Sequence, residues 1–357
     1  MVADALKRLV ERRNLTRQES QTVMEEIMSG NAHDVQIGAF LTALRMKGET
    51  IEELIGFARV LRGRAAAVWA HRPVTSALAD TERETLIDTC GTGGDAANTF
   101  NVSTATAFVV AGTGLRVAKH GNRSVSSLCG SADVVEALGV NIQIAPWQIA
   151  RCIDQVGIGF LYAPLLHRAM QAVMLARREM KIRTVFNMLG PLTNPAGASS
   201  QVLGVYSAYL TETLAAVLKE LGTRRAFVVH GADGLDEMSN TGTSRISEVR
   251  NGNLSTYEVD PEDVGLPRAR VEDLRGGNVR ENADIILSVL CGKKGPRRDI
   301  VLMNAAAAIM AGERASSLAE GVQIAADSID SGAALKKLED LIACSNSFSP
   351  RSSIPDV

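Results

Sequence analysis

Apolar positions in residues 1–70 repeat at the spacing of amphipathic helices. Leu6 and Leu9, for example, share one helical face. The segments 16–19 and 50–53 each place a threonine three residues before a glutamate, which is the spacing of a capping box at a helix start. We therefore predict a small all-helical N-terminal domain of roughly four short helices.

The pattern changes near residue 86, where short apolar runs begin to alternate with helical stretches. The predicted strands are a run that ends at Ile87 and the runs 115–118, 160–162, 202–206 and 226–229. Helices are predicted over 131–138 and 146–156. This alternation is typical of a parallel sheet covered on both faces. We therefore predict an α/β fold in which a large domain, residues 71–357, has a mostly parallel central sheet flanked by helices.

Three further segments complete the predicted outline. Apolar runs on both sides of Asn251–Gly252 predict a hairpin of strands 244–249 and 254–259. Residues 164–183 read as one inserted helix rich in methionine and arginine, and we expect the inserted region, about 164–185, to complete the helical domain. The fold is expected to end with helices near 297–311 and 315–345.

The stretch Asp88–Asp95 carries three glycines within four positions, directly after an apolar strand. Glycine reaches left-handed conformations at little cost, so this loop can turn its amides inward around an anion. A helix is predicted to begin within residues 98–107, with Asn101 or Ser103 able to cap it, and its free amides would face the same anion. No P-loop lysine follows, and Ala96 replaces the third glycine of a dinucleotide fingerprint. The stretch predicts a phosphate cradle of a different kind.

The composition excludes several classes of function. Lys and Arg number 38 and Asp and Glu 40, a formal net charge of −2, so the chain lacks the basic field that drives binding to nucleic acid or a membrane surface. No apolar run reaches membrane-spanning length. The five cysteines form no Cys-x-x-Cys pair, which argues against a disulfide framework and a zinc site and favours the cytoplasm.

Two polar clusters follow predicted strands and are expected at the same sheet edge as the glycine-rich stretch. Residues 119–127 combine two cations, an amide and three hydroxyls. The adjacent carboxylates Asp236 and Glu237 repel each other, and confining them calls for a cation. Mg²⁺, held by one or two carboxylates together with substrate phosphates, meets that need. A solvated turn is the alternative for both clusters.

Three other side chains have both an ordinary and a functional interpretation. Arg177, on the inserted helix, could hold a planar carboxylate bidentately, but a surface salt bridge is the simpler reading. His120 and His167 could be packed or exposed imidazoles. Neither is assigned as a general base.

Six stretches together resemble the signature set of the anthranilate phosphoribosyltransferase family, in order and in spacing. They are Gly91–Asp95, Asn101–Thr104, Lys119–Ser124, Gly130–Asp133, Leu189–Pro195 and Gly234–Glu237. The resemblance extends from the N-terminal helices to about residue 345. It implies transfer of the 5-phosphoribosyl group from phosphoribosyl pyrophosphate to the amine of anthranilate, with release of pyrophosphate, in tryptophan biosynthesis.

The resemblance also implies roles for individual residues. Phosphoribosyl pyrophosphate would be bound by Gly91, Gly94, Asp95, Thr99, Asn101, Val102, Ser103, Thr104, Lys119, His120, Gly121, Asn122, Arg123, Ser124, Val125, Ser126, Ser127 and Ser131. Anthranilate would be contacted by Gly91, Asn122 and Arg177, and Mg²⁺ would be held by Ser103, Asp236 and Glu237. Lys119 and the metal ligands would stabilise the transition state. Because relatives form homodimers through the helical domain, a homodimer is expected.

Two other classes of protein are weighed against this one. A pyrimidine nucleoside phosphorylase shares the fold class and a related Lys-x-Ser-x-Arg loop, but Gly121 occupies the serine position and the extra C-terminal domain of such enzymes is missing. A non-catalytic relative that binds nucleic acid would be expected to have a basic surface and to lose Asp236 and Glu237.

Two positions depart from the family pattern. Leu128–Cys129 stand where the family usually has a basic residue and then serine, so a cation near the phosphates is missing. Thr243 stands where the family commonly has proline, and we expect it to loosen the loop behind Asp236 and Glu237. Neither change touches a matched ligand residue, so we expect altered phosphate binding and the same reaction.

The Leu128→Lys substitution is expected to lower the KM for phosphoribosyl pyrophosphate, because it restores a positive charge beside the predicted phosphate site. Steady-state kinetics at saturating anthranilate measure the effect, with the uncharged Leu128→Gln variant as the control. A KM that does not change in Leu128→Lys would refute the idea.

Overall fold

The computed structural model describes residues 1–70, 85–95, 97–124 and 128–348. Its first part is a group of four helices: α1 (Val2–Val10), α2 (Arg17–Met28), α3 (Asp34–Lys47) and α4 (Ile51–Arg64). Thr16 and Thr50 begin α2 and α4 with the capping boxes that the sequence predicts. The prediction of a small helical N-terminal domain is confirmed.

Seven strands form one sheet. They are β1 (Leu86–Gly91), β2 (Arg116–Gly121), β3 (Ile158–Tyr162), β4 (Ser200–Gly204), β5 (Arg225–Gly231), β6 (Ser244–Arg250) and β7 (Asn253–Val259). The strand order is β3-β2-β1-β4-β5-β6-β7, with parallel pairing from β3 to β5 and antiparallel pairing of β6 with β5 and β7. The mostly parallel sheet and the β6–β7 hairpin are therefore confirmed.

The order of the strands reverses between β1 and β4. The chain runs outward from β1 through β2 to β3, and then returns to the other side of β1 with β4 and β5. In open α/β sheets, ligands bind at such a switch point, outside the carboxyl ends of the strands. The glycine-rich stretch that follows β1 lies at this position.

Eleven further helices belong to the described part of the large domain and its insertion. They are α5 (Val102–Gly112), α6 (Ser131–Ala137), α7 (Pro146–Val156), α8 (Ala163–Leu166), α9 (Gln171–Met180), α10 (Val185–Leu189), α11 (Leu210–Glu220), α12 (Val279–Leu290), α13 (Pro296–Ala311), α14 (Leu318–Asp330) and α15 (Ala333–Asn346). Within the described ranges, no helix is both long and apolar enough to cross a bilayer.

Two predicted long helices are each broken in the structure. The predicted helix 164–183 is α8, a 3-10 turn and α9, because His167 has a non-helical backbone and Lys181, with φ +51°, ends α9. The predicted helix 315–345 is α14 and α15. Gly332, with φ +77°, separates them. Single residues that leave the helical region of φ and ψ account for both corrections.

Alternate residues of β5 divide the core between the two faces of the sheet, as the pleat of a strand requires. Phe227 and Val229 pack in a cluster that contains α5 and α13. Ala226 and Val228 pack in a second cluster, which contains α11 and the four N-terminal helices. Val173, from the inserted α9, belongs to this second cluster. The helical domain therefore shares a continuous core with one face of the sheet.

A buried carboxylate in β1 joins three segments at the centre of the sheet. Asp88 Oδ2 accepts from Asn194 Nδ2 at 2.8 Å, and Asp88 Oδ1 accepts from His120 N at 3.2 Å. Asn194 Nδ2 also donates to Ala118 O at 2.9 Å. Burial raises the pKa of Asp88, and the nearby Lys119 opposes that rise. These bonds fix β1 and β2 relative to the loop that carries Asn194.

Candidate active site

The carboxyl ends of β1 and β5 bring the glycine-rich stretch and the acidic pair together. Gly93 N donates to Asp236 Oδ2 at 2.7 Å, although 143 positions separate the two residues along the chain. Because β4 lies between β1 and β5, the acidic loop crosses over the end of β4. The two sequence clusters therefore face each other at the switch point.

The glycines at this edge have two different structural roles. A Cβ on Gly204 would lie 1.4 Å from the backbone oxygen of Asp236, and a Cβ on Gly91 would lie 2.3 Å from Asp236 Oδ2. Only glycine leaves room for the backbone of the acidic loop at position 204, and a side chain at position 91 would displace the Asp236 carboxylate. Gly93 and Gly94 instead have φ of +66° and +78° and turn the chain. The expectation that the glycine-rich loop leaves its amide N–H groups free for a bound anion is wrong for Gly93, whose N–H donates to Asp236.

The amino end of α5 is capped by a residue from another loop. Glu237 Oε1 accepts from Ser103 N at 3.1 Å. Asn101 occupies the N-cap position, but its side chain makes no capping bond and donates instead to Cys129 O at 3.2 Å. The predicted capping by Asn101 or Ser103 is therefore wrong. A carboxylate at a helix amino end is the stronger partner because it also meets the positive end of the helix dipole.

The two carboxylates that take these amides repel each other. Burial, and then the nearby Asp95, raise the pKa of Asp236 to about 7. Burial and the adjacent Asp236 also raise the pKa of Glu237, which Lys119 and the Ser103 amide partly oppose. At neutral pH the pair is therefore partly protonated, and a cation bound there would favour the loss of those protons.

The donor set at this edge fits part of the coordination sphere of a hard cation. Asp236, Glu237 and the Ser103 hydroxyl offer oxygen atoms, the ligand type that Mg²⁺ prefers. Across the described residues, no three His, Cys, Asp or Glu side chains come together as a complete metal site. Mg²⁺ sites in proteins usually combine one or two carboxylates with water and substrate phosphates.

Lys119 is the buried cation of the site. Its side chain is 3% exposed, and Nζ donates to Thr89 O and, at 3.2 Å, to Ser103 Oγ. It therefore joins the end of β2 to β1 and to the first turn of α5. Gly121, two residues later, packs against Ser131, since a Cβ there would lie 2.2 Å from Ser131 Oγ.

Arg123 is paired within the protein. Its guanidinium contacts Asp133 and Glu136, each at 2.8 Å, and lies over the Tyr162 ring with 5.6 Å to the centroid. Asp133 Oδ2 also accepts from Ser124 N at 3.1 Å. The Arg123 charge thus shapes the loop after β2. The predicted site residues Val125, Ser126 and Ser127 lie outside the described residues.

Other residues of the predicted phosphate site have varied surroundings. Asp95 Oδ1 accepts from Ala97 N at 3.3 Å, and Thr99 forms an isolated antiparallel bridge with Arg275. Val102 and Thr104 are each 1% exposed, and their backbone N–H groups donate to Phe100 O and Asn101 O, so neither their side chains nor their amides are open to a ligand. Asn122 is exposed, and its Oδ1 accepts from Arg123 N.

Arg177 has no ion-pair partner among the described residues. Its guanidinium lies over the Phe186 ring, 5.3 Å from the centroid, and burial lowers its pKa. The simpler interpretation, a surface salt bridge, is therefore wrong. A partly buried guanidinium without a carboxylate partner is suited to receive an anionic ligand.

The two histidines form a pair that the sequence did not reveal. The His120 and His167 rings are 5.1 Å apart, and each has a buried Nε2 with no hydrogen-bond partner among the described residues. Burial lowers the pKa of His120 to about 3 and that of His167 to about 4. Both imidazoles are therefore neutral at pH 7.

The structure also places the two departures from the family pattern. Leu128 is 72% exposed at the loop after β2. Thr243 O accepts from Ala232 N at 2.9 Å, and Thr243 Oγ1 donates to Asp260 Oδ1 at 2.9 Å. Contrary to expectation, Thr243 fastens the loop behind the acidic pair at two points.

Known proteins resemble this chain over nearly its whole length. Residues 83–335 match the glycosyl transferase family a/b domain, and residues 3–65 match the helical bundle domain of that family. The anthranilate phosphoribosyltransferase of Citrifermentans bemidjiense is 52% identical, covering 97% of this chain and 99% of its own. That of Pelotomaculum thermopropionicum is 54% identical, covering 98% of each chain.

Solved structures agree with these relatives. Anthranilate phosphoribosyltransferase from Thermus thermophilus superposes with a TM-score of 0.88 at 40% identity, covering 96% of this chain and 99% of its own. The Saccharomyces cerevisiae enzyme in complex with PRPP and Mg gives 0.86 at 29% identity, covering 97% of this chain and 98% of its own. The chain therefore belongs to the anthranilate phosphoribosyltransferase family.

Proposed function

We propose that the protein transfers the 5-phosphoribosyl group of phosphoribosyl pyrophosphate to the amine of anthranilate, which gives N-(5-phosphoribosyl)anthranilate and pyrophosphate in tryptophan biosynthesis. The observation that carries the proposal is the hydrogen bond from Gly93 N to Asp236. It brings an amide-rich loop and an acidic pair to the switch point of the sheet, where an anionic substrate and a divalent cation can bind together. The full-length relatives named for this reaction support it.

The phosphoribosyl pyrophosphate site is proposed at the loops that follow β1 and β2. Its residues would be Gly91, Gly94, Asp95, Thr99, Asn101, Val102, Ser103, Thr104, Lys119, His120, Gly121, Asn122, Arg123, Ser124, Val125, Ser126, Ser127 and Ser131. Asp236 and Glu237 now accept the amides of Gly93 and Ser103. A diphosphate oxygen that reaches those amides must displace the carboxylates. At each amide, substrate binding would thus replace a carboxylate of the protein with a phosphate oxygen.

Mg²⁺ is the proposed cofactor, held by Asp236, Glu237 and Ser103. The raised pKa values of the two carboxyls support this choice, since a bound cation would offset both the burial and the mutual repulsion that raise them. When bound, the ion would neutralise part of the charge on the diphosphate. The structure of the yeast relative contains PRPP and Mg together, the substrate and the ion that are proposed here.

The reaction needs stabilisation of a leaving group more than it needs a nucleophile from the protein. Departure of pyrophosphate leaves positive charge on the ribose and adds negative charge to the leaving oxygen. Lys119, already fixed against Ser103, and the loop amides are in place to stabilise that negative charge. The anthranilate amine attacks as the free base, so proton removal can follow attack. The neutral His120 and His167 are not needed as bases.

The acceptor is proposed to bind through Arg177, Asn122 and the backbone at Gly91. The partly buried Arg177 guanidinium lacks a carboxylate within the described structure, and the carboxylate of anthranilate would supply one with bidentate geometry. Holding the amine near the anomeric carbon would then accelerate the reaction, because the two reacting atoms are already close together.

Nucleoside phosphorolysis is not proposed. Gly121 stands at the position of the phosphorylase serine, and a Cβ there would lie 2.2 Å from Ser131 Oγ and 2.9 Å from Phe160 Cζ, so a side chain would require these two residues to move. The relatives at more than 50% identity are named as phosphoribosyltransferases.

We also propose a cytoplasmic homodimer that forms through the helical domain. Val10, Val35 and Met46 of the N-terminal helices are 69%, 84% and 71% exposed, and apolar side chains at such exposure favour a partner surface. The five free cysteines fit a reducing compartment.

Light scattering coupled to size-exclusion chromatography should give twice the chain mass, falling to the chain mass in Val35→Glu. A wild-type monomer at micromolar concentration would contradict the dimer.

The purified protein is expected to consume anthranilate only when both phosphoribosyl pyrophosphate and Mg²⁺ are present, as followed by the loss of anthranilate fluorescence. Asp236→Asn keeps an oxygen for the Gly93 amide but removes the charge. It should lower kcat/KM by about 10²–10³-fold, the usual cost of one lost electrostatic partner in a transition state. Asp284→Asn, an exposed carboxyl on α12, is the matched control. Equal activity in Asp236→Asn and wild type would contradict the metal role.

Arg177→Met keeps an apolar stem over Phe186 and removes the guanidinium. The KM for anthranilate is expected to rise about 10- to 100-fold, which corresponds to the loss of a charged hydrogen bond, and the KM for phosphoribosyl pyrophosphate should stay within about twofold. Arg178→Met provides the control, because Arg178 is 73% exposed and pairs with Glu179. A change confined to the phosphoribosyl pyrophosphate KM would refute acceptor binding by Arg177.

A further inference from the structure

Arg183 lies in the link between α9 and α10, outside every predicted site cluster. Lys181, with φ +51°, reverses the chain at the end of α9. The link then brings the Arg183 guanidinium against the glycine-rich stretch, since a Cβ on Gly94 would lie 3.0 Å from Arg183 Nε and 3.5 Å from Cζ. An arginine from a different segment therefore borders the loop that faces the acidic pair.

An aromatic ring holds the Arg183 guanidinium in this place. Cζ of Arg183 lies 4.7 Å from the centroid of the Tyr206 ring, a distance at which a cation and a ring face attract each other. Tyr206 follows β4, and its backbone N donates to Thr92 Oγ1 at 3.2 Å. The ring is thereby attached to the same glycine-rich stretch. This contact with the ring face leaves the N–H groups of the guanidinium unused.

The hydrogen-bond donors of Arg183 remain available. Throughout the described ranges, no carboxylate pairs with Arg183 and no acceptor takes its N–H groups; its contacts are the Tyr206 ring and the Gly94 backbone. The neighbouring arginines differ, because Arg123 is paired with Asp133 and Glu136 and Arg178 is paired with Glu179. Arg183 is exposed, so a ligand can reach it.

The charges around the glycine-rich stretch leave a need for a cation. Asp95, Asp236 and Glu237 make this edge acidic, and Lys119 is already bonded to Thr89 and Ser103. A diphosphate adds further negative charge. Leu128, at the loop after β2, is 72% exposed and carries no charge.

We propose that Arg183 binds a phosphate group of the diphosphate at the glycine-rich stretch, on the leaving-group side of the reaction. The proposal rests on the proposed function, which supplies the diphosphate. A guanidinium held over the Tyr206 ring can offer two parallel N–H groups to two phosphate oxygens, a geometry that a lysine cannot reproduce. Arg183 therefore contributes to binding both of phosphoribosyl pyrophosphate and of the product pyrophosphate.

The test is calorimetric titration of the full chain with pyrophosphate in the presence of Mg²⁺, without anthranilate. Arg183→Gln is expected to raise the Kd for pyrophosphate by about tenfold or more, on the scale of a charged hydrogen bond. Arg183→Lys should recover part of that loss. Arg178→Gln, which removes an equal charge from the same region, should stay within about twofold of wild type.

Steady-state kinetics separate this role from binding of the acceptor. The KM for phosphoribosyl pyrophosphate should rise by a similar factor in Arg183→Gln, while the KM for anthranilate stays within about twofold. Unchanged pyrophosphate binding in Arg183→Gln, or a rise confined to the anthranilate KM, would overturn the proposal. Thermal unfolding of each variant confirms that the exposed substitution leaves the fold intact.

Failure of the proposed function gives a different result. In that case the wild-type protein would not consume anthranilate under any condition. The pyrophosphate titration would still report whether Arg183 contributes to anion binding, because it needs no turnover. Conversely, active wild-type enzyme with equal pyrophosphate affinity in Arg183→Gln would remove only the role of Arg183.

Discussion

Two carboxylates that each accept a backbone N–H from a distant segment hold this site together. Asp236 takes the amide of Gly93, and Glu237 takes the amide of Ser103. The acidic loop can approach only because Gly204 has no Cβ to meet the Asp236 backbone. These contacts place the end of β5, the loop after β1 and the start of α5 within reach of one small anion. The parallel sheet brings these segments to one edge, and the two carboxylates hold them in fixed positions relative to each other.

The same contacts give the site its chemical character. Amides at a glycine-rich turn and a helix start are anion-binding groups, and the protein satisfies them with its own carboxylates. Burial, and then the proximity of other carboxylates, raises the pKa values of this pair, so the arrangement favours an incoming cation and an incoming phosphate group. Lys119 remains as the buried positive charge. We infer that substrate binding replaces the hydrogen bonds from these amides to the protein's own carboxylates with hydrogen bonds to substrate phosphate oxygens.

The sequence predicted the parts of the fold that depend on local pattern. The helical bundle, the parallel strands and the hairpin each follow from spacing over a few residues, and parallel strands necessarily bring their following loops to one edge. The structure breaks two predicted helices, at His167 and at Gly332. Gly332 has a left-handed φ of +77°, which glycine favours, whereas the residue type of His167 does not mark a break. The start of α12 carries a readable signal, since Asn278 forms a capping box with Glu281.

Contacts between distant segments were beyond prediction from the pattern. The capping of α5 by Glu237 joins positions 134 apart, and no local spacing encodes it. The central claim is tested most directly by a crystal structure of the protein with Mg²⁺ and phosphoribosyl pyrophosphate. The account predicts diphosphate oxygens at the Gly93 and Ser103 amides, with Asp236 and Glu237 displaced from them. Carboxylates that still accept those two amides, with the diphosphate bound elsewhere, would contradict it.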